Sequence, residues 1–156
     1  MSYLFPIALF IHIIGITFIA GGSIGGLLLE KYIWKSIRES PEKVPVFGPL
    51  MVQYPAIIQV GTLLMLISGL MMLDALGWVV AGQWWFIVKM ILVVALVLNG
   101  MLIAKPNSNR LLILVPRLVN GENVKVEIAK VKKNMTWFHI SELSMLVVVY
   151  LLAIFR

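Results

Sequence analysis

Four long apolar runs dominate the pattern of hydrophobic and polar positions along the chain. Each run has close to the ~20 apolar residues that a helix needs to cross ~30 Å of hydrocarbon. They cover roughly residues 4–29, 50–73, 84–104 and 137–155. The pattern therefore predicts an all-α integral membrane protein, in which four spans with short connections form a single transmembrane domain over residues 1–156.

The segment between the third and fourth spans has a different periodicity. Its apolar positions recur at spacings of 4, 3 and 4, which predicts an amphipathic helix. These positions are Val124, Ile128, Val131 and Met135. We expect this helix to continue without a break into the fourth span, from about residue 123 to 155. The earlier run over residues 111–119 is too short to span and is predicted to lie along the interface, after a polar turn at 107–110.

Charge placement predicts the topology. The chain is 61% hydrophobic and 13% charged, with a net charge of +6. Eleven of its 13 lysines and arginines lie in segments 30–49 and 105–136, whereas segment 74–83 has none. By the positive-inside rule, the two basic segments are cytoplasmic loops and both termini are outside, which gives an up-down-up-down four-helix bundle. We expect a cytoplasmic (inner) membrane of prokaryotic type, with the lipid bilayer and not nucleic acid as the partner of the basic charge.

Residue types restrict the chemistry. The absence of cysteine excludes disulfides, thiolate metal ligands and c-type haem attachment. No glycine-rich phosphate loop, zinc-ligand spacing, pair of catalytic carboxylates or Ser/His/Asp arrangement is visible, so soluble-enzyme chemistry is unsupported. A small drug exporter of the four-span type would place a carboxylate inside its first span, where this chain has only His12. A metal or cofactor would have to be held by His, Lys, Met or a carboxylate.

The first candidate site is in the outer half of the first span. The stretch from Ile11 to Gly26 contains His12 and five glycines, and helical geometry places Gly15 and Gly22 within about 80° of His12. An ionisable side chain in hydrocarbon is by default a functional-site hypothesis. His12 above a glycine groove could be the axial ligand of a haem. The alternatives are an ordinary interhelical hydrogen bond for His12 and a purely packing role for the glycines.

Lys89 would complete this outer site from the third span. It lies about five residues into that span, at ~8 Å depth, and Trp85 lies near the mouth of the same site. Lys89 could contact a haem propionate, or ligate iron if burial removes its proton. The alternative is that its ammonium group reaches the membrane interface.

The second candidate site is near the membrane entry of the fourth span. His139 and Glu142 are three residues apart and so lie on neighbouring helix faces. His139 is the second candidate metal ligand, but the helical rise separates it from His12 by roughly 15–25 Å in height, so the two cannot ligate one iron. Glu142 could orient the imidazole, relay protons or receive a cationic group. The alternative is a histidine among the headgroups, with Glu142 paired to a loop lysine.

Short motifs in the first three spans follow the pattern of a known family. They are Ala8 with His12 and Ile13, Phe18-Ile19-Ala20-Gly21, Pro55-Ala56 with Gly69-Leu70, and Trp85-Phe86-Ile87-Val88-Lys89-Met90. In these motifs the chain resembles the HemJ-type protoporphyrinogen IX oxidases and the wider CopD-like group of small four-span membrane proteins. The resemblance implies b-type haem and porphyrinogen oxidation, with His12 and Lys89 as the functional pair. Because GGLLLEKY lacks the arginine and Tyr-His expected after the first span, the chain is similar to a divergent, uncharacterised branch.

Two functions are therefore expected from different classes. The first is a haem b-binding membrane protein with His12 as axial ligand and a redox role, in electron transfer or as an oxidoreductase. Its partner would be a quinone or a porphyrin-type small molecule. The second is a cofactor-free assembly or helix-packing subunit, whose glycine-rich faces meet partner helices or a second copy of the chain.

The predicted topology can be tested with introduced cysteines, because the native chain has none. A cysteine-accessibility scan should place residue 12 on the outer side of the membrane and residue 139 on the inner side, as the distribution of lysine and arginine requires. Labelling of both positions from the same side would contradict the topology.

Overall fold

The computed structural model describes residues 3–154, apart from the side chain of Val52, and this part of the chain consists of helices joined by short turns. Its α-helices are α1 (Leu4–Glu39), α2 (Gly48–Ala75), α3 (Trp84–Asn99), α4 (Lys105–Val119) and α5 (Lys125–Ile154). Four helical stretches are long and apolar enough to cross a membrane: Leu4–Glu39, Pro41–Ala75, Trp84–Val119 and Lys125–Ile154. The prediction of an all-α protein with four candidate spans is therefore confirmed.

Helix α1 is longer than the apolar run that predicts it. It continues through the first part of segment 30–49 to Glu39, and a 3₁₀ turn, Pro41–Phe47, then leads into α2. Pro41 prevents further extension of the helix. The extra turns of α1 form because Ile33 and Trp34 are buried against the rest of the chain.

The connection between α3 and α4 also differs from the prediction. A π-helical segment, Gly100–Ala104, joins the two helices, so the polar turn predicted at 107–110 is wrong. Asn107 is buried and helical, and its Nδ2 donates to the carbonyl of Ile103 at 2.6 Å. Its Oδ1 accepts a hydrogen bond from Asn134 Nδ2 on α5 at 3.1 Å. The segment 111–119 is consequently part of one continuous helical stretch and not a separate interfacial helix.

Helix α5 follows its prediction. The amphipathic segment and the fourth apolar run form one helix, Lys125–Ile154, and three of the predicted apolar positions are buried, namely Val124, Ile128 and Val131. These residues belong to an apolar cluster that we call the loop core. The loop core consists of Ile33, Trp34, Val44, Leu111, Leu114, Val115, Val124, Ile128 and Val131. The two basic segments are thus folded against each other.

Glycines bring α1 and α2 into backbone contact. A Cβ atom on Gly15 would lie 2.8 Å from both the carbonyl oxygen of Gly61 and the backbone nitrogen of Met65. Conversely, a Cβ on Gly61 would lie 2.7 Å from the carbonyl oxygen of Gly15. Further along α1, Gly22 faces Ile58 and Gly25 faces Tyr54, so the contacts follow reverse chain order. Helix α2 therefore fills the glycine groove of α1.

All four spanning helices meet at a second, smaller apolar cluster. Ile19 of α1, Met65 of α2 and Val93 of α3 are buried together, and Leu146 of α5 packs against them. Because lipid tails are as apolar as these side chains, close packing and polar contacts have to hold such helices together. The bundle therefore depends on the shape of the α1 and α2 surfaces.

We expect Gly15→Ala to destabilise the bundle by about 1–3 kcal/mol, because the new methyl group would meet backbone atoms that cannot rotate away. The measurement is thermal or denaturant unfolding in detergent micelles. Gly21→Ala is the matched control, since no atom lies within 4 Å of its added Cβ. Equal loss of stability in both variants would contradict the role assigned to the Gly15 contact.

Candidate functional site

His12 is held between α1 and α2 by hydrogen bonds at one ring nitrogen. Its Nδ1 lies 3.1 Å from the carbonyl oxygen of Met65 and 3.0 Å from the Oγ of Ser68. A carbonyl oxygen can only accept, so Nδ1 carries a proton and donates it. The Ser68 hydroxyl in turn donates to the carbonyl of Leu64 at 2.6 Å. In the neutral imidazole, the lone pair is therefore at Nε2, the nitrogen free to bind a metal.

The position of His12 follows from the helix contact beside it. Gly15 lies one turn further along α1 and touches the backbone of α2, which fixes how α1 faces Met65 and Ser68. Ser68 is fully buried, and a Cβ on Gly69 would lie 3.7 Å from Cε1 of His12. The half-buried imidazole is thus placed by a glycine contact on one side and by a turn of α2 on the other.

Packing between α2 and α3 relates two of the predicted outer-site residues. Lys89 lies one turn before Val93 on α3, and Val93 packs with Met65, whose carbonyl accepts the hydrogen bond of His12. Trp85 lies one turn before Lys89 and packs edge-to-face on Phe86, with ring centroids 6.0 Å apart. Gly15 and Gly22 are different, because α2 covers both of them. The slot predicted above these two glycines is occupied by Met65 and Ile58.

A second polar site joins α1 to α5. The Glu30 carboxylate accepts a hydrogen bond from Trp34 Nε1 at 2.6 Å through Oε1, and its Oε2 contacts His139 Nε2. The side chains of His139 and Glu30 are only 9% and 10% exposed. The His139 ring also packs on Phe138, with ring centroids 5.0 Å apart. Glu30 therefore holds an indole and an imidazole in place at once.

Glu142 lies one turn further along α5 and contacts the same helix of the bundle. Its Oε1 accepts a hydrogen bond from Ser23 Oγ of α1 at 2.9 Å. Its partner is thus a buried serine and not a loop lysine. We call Ser23, Glu30, Trp34, His139 and Glu142 the inner polar cluster. Beside it, Asn99 Nδ2 of α3 donates to Ser141 Oγ at 3.1 Å, which ties a third helix to α5.

The two histidines belong to separate sites. His12 and Glu30, the partner of His139, are 18 residues apart on α1, which is about 27 Å at the helical rise. Among residues 3–154, no three His, Asp or Glu side chains converge as a metal-binding group. Nε2 of His139 is engaged by Glu30, while its Nδ1 is buried without a hydrogen-bond partner among the described residues.

Sequence patterns contain a signal for residues that the prediction missed. Ser23 and Glu30 are seven residues apart, and Glu30 and Trp34 are four apart, so helical geometry places all three on one side of α1. Ser23 stands among glycines, and Glu30 directly follows the apolar run, so the hydrophobic pattern does not single out either residue. Ser68 carries no such signal, since its role depends on the crossing of α1 and α2.

Comparison with known proteins yields no relative for this chain: no family model, curated protein or solved structure matches it. The site is therefore interpreted from its own residues.

Removal of the Glu30 carboxylate should lower the stability of the folded protein. We expect Glu30→Ala to lower the free energy of unfolding by about 3 kcal/mol or more, because it leaves both the buried imidazole and the Trp34 N–H without their acceptor. The control is Glu39→Ala on the same helix, where a 62% exposed carboxylate faces Lys35 at 4.0 Å and should contribute well under 1 kcal/mol. Unfolding in detergent would measure both, and equal small effects would contradict a structural role for Glu30.

Proposed function

We propose that this chain is an integral membrane protein that binds b-type haem, with Nε2 of His12 as an axial ligand. The observation that carries the proposal is the hydrogen bonding of the other ring nitrogen. Nδ1 donates to the Met65 carbonyl and Ser68, which fixes both the tautomer and the orientation of the imidazole. Histidines that bind metals almost always donate their second ring N–H in this way.

The residues around His12 fit such a ligand. The imidazole is half-buried, and both hydrogen bonds that hold it are made by Nδ1. Lys89 is the cationic group near His12, and a lysine there can bind a haem propionate. Because α2 fills the groove over Gly15 and Gly22, the haem would meet His12 outside that groove. A bound haem would supply reversible one-electron transfer, which is the chemistry of a redox protein.

The wider proposal places this site in a membrane. In this proposal the chain is an up-down-up-down bundle with both termini outside, in a cytoplasmic membrane of prokaryotic type. Its redox partner is a quinone or a porphyrin-type molecule. The reverse-order contacts between α1 and α2 support the alternation of direction. The resemblance of the His12 and Lys89 motifs to HemJ-type and CopD-like proteins supports the haem.

The geometry gives less support to a cofactor-free assembly subunit. Three glycines of α1 are already used against α2, namely Gly15, Gly22 and Gly25. Gly21 and Gly26 have no atom within 4 Å of an added Cβ and could face another chain. They are five positions apart, however, which separates them by about 140° around the helix. The two glycines therefore do not form one continuous face for a partner helix.

The haem proposal is tested by the reduced-minus-oxidised absorption spectrum of the protein, expressed with haem available and purified in detergent. We expect a Soret band in the wild type that is lost in His12→Ala and retained in His139→Ala. Ser68→Ala should keep the band but lower the affinity for haem by about tenfold, since it removes one partner of Nδ1.

Three outcomes would count against the proposal. A wild type without a Soret band would favour the cofactor-free alternative. A band that survives His12→Ala and disappears in His139→Ala would move the haem to the inner polar cluster. The third applies if both variants lose the band together with helix content in circular dichroism: a band that is retained in His12→Gln, which keeps a polar side chain in the same place, would contradict ligation by His12.

A further inference from the structure

The inner polar cluster contains two buried atoms that lack a hydrogen-bond partner among the described residues. They are Nδ1 of His139 and Oε2 of Glu142. Both residues are more than nine-tenths buried, at 7% and 6% exposure. Leaving a buried polar atom unpaired typically costs about 1–3 kcal/mol. The two atoms lie one turn apart on α5 and are not hydrogen-bonded to each other, so one bound water would satisfy both at once.

The remaining atoms of the cluster have fixed roles. Both oxygens of Glu30 are engaged, one by the Trp34 N–H and the other by His139 Nε2. The Ser23 hydroxyl donates a hydrogen bond to Oε1 of Glu142. With Nε2 of His139 as the donor, Glu30 accepts hydrogen bonds from two N–H groups and is the acidic partner of the imidazole. Only Nδ1 and Oε2 have protonation that these hydrogen bonds leave open.

These two atoms are complementary in either of two protonation states. With the proton on Nδ1, His139 is an imidazolium that donates and Glu142 is a carboxylate that accepts. With the proton on Oε2, His139 is a neutral imidazole that accepts and Glu142 is a carboxylic acid that donates. The total charge of the cluster is the same in both states. The change breaks the Nδ1–H bond, leaves its electron pair on nitrogen and forms an O–H bond on Glu142.

We propose that His139 and Glu142 form a buried proton-holding site, in which one exchangeable proton is shared between Nδ1 and Oε2. Glu30 stabilises the imidazolium form as a counter-charge, and Ser23 stabilises the ionised form of Glu142. A water molecule that accepts a hydrogen bond from one of the two atoms and donates one to the other would carry the proton between them.

The site is independent of the haem proposal. About 27 Å of α1 separates Glu30 from His12, and no residue of the inner polar cluster contacts His12 within the described range. A protein without haem could therefore still hold this proton, and a haem on His12 would not require it. Failure of one proposal leaves the other to be judged by its own measurement.

Vibrational and magnetic resonance spectra of the protein in lipid bilayers test the site. With ¹³C-labelled glutamate, the infrared spectrum should show a carboxylic acid band that shifts in D₂O and disappears in Glu142→Gln. The matched control is Glu127→Gln, an exposed carboxylate on the same helix, which should leave the band unchanged. With ¹⁵N-labelled histidine, only two side chains give signals, and the Nδ1 resonance of His139 should move in Glu142→Gln while that of His12 stays.

The result that would overturn the inference is a Glu142 that is ionised at every pH at which the protein stays folded, with no carboxylic acid band. An Nδ1 resonance of His139 that is identical in wild type and Glu142→Gln would overturn it as well. If Glu142→Gln does not fold, the wild-type spectra decide the question through the isotope shift of the acid band. Ser23→Ala then provides the second variant, because loss of its hydrogen bond should shift that band and keep it.

Discussion

The backbone contact between Gly15 and Gly61 is the constraint on which the arrangement of the bundle depends. It fixes the register of α1 against α2, and with it the turn of α2 that His12 meets. Helix α1 carries the second site as well, since Ser23 and Glu30 lie about three and five turns beyond His12 and contact α5. One helix therefore positions two polar sites that share no residue.

Two different forces hold the two ends of the molecule. Within the spans, apolar side chains gain little by leaving lipid, so glycine contacts and buried hydrogen bonds carry the specificity. In the basic segments, the loop core gathers apolar side chains from α1, α4 and α5 into one buried cluster. Glu30 and Trp34 connect the two regions, because Trp34 is part of the loop core while Glu30 holds His139 of α5.

Local patterns predict the helices well and the sites only in part. The four spans and the buried positions Ile128 and Val131 of α5 follow from length and periodicity, which depend on neighbouring residues alone. Asn107 was predicted as part of a turn because its polar side chain finds its partner, Asn134, on another helix. Glu30 was missed for the same reason, since His139 is 109 positions away in the sequence. The site at His12 could be located, but its tautomer depends on α2.

The π-helical segment Gly100–Ala104 has a consequence for how the membrane part is coupled to the loop core. A π turn accommodates about one extra residue, which rotates everything after it by roughly 100° relative to an uninterrupted α-helix. Apart from Lys89 and Asn99, helix α3 is apolar, whereas α4 buries one stripe, with Leu111, Leu114 and Val115 in the loop core. The π-helical segment thus sets which face of α4 is turned toward the loop core. The apolar helix α3 and the amphipathic helix α4 are parts of one continuous helical stretch.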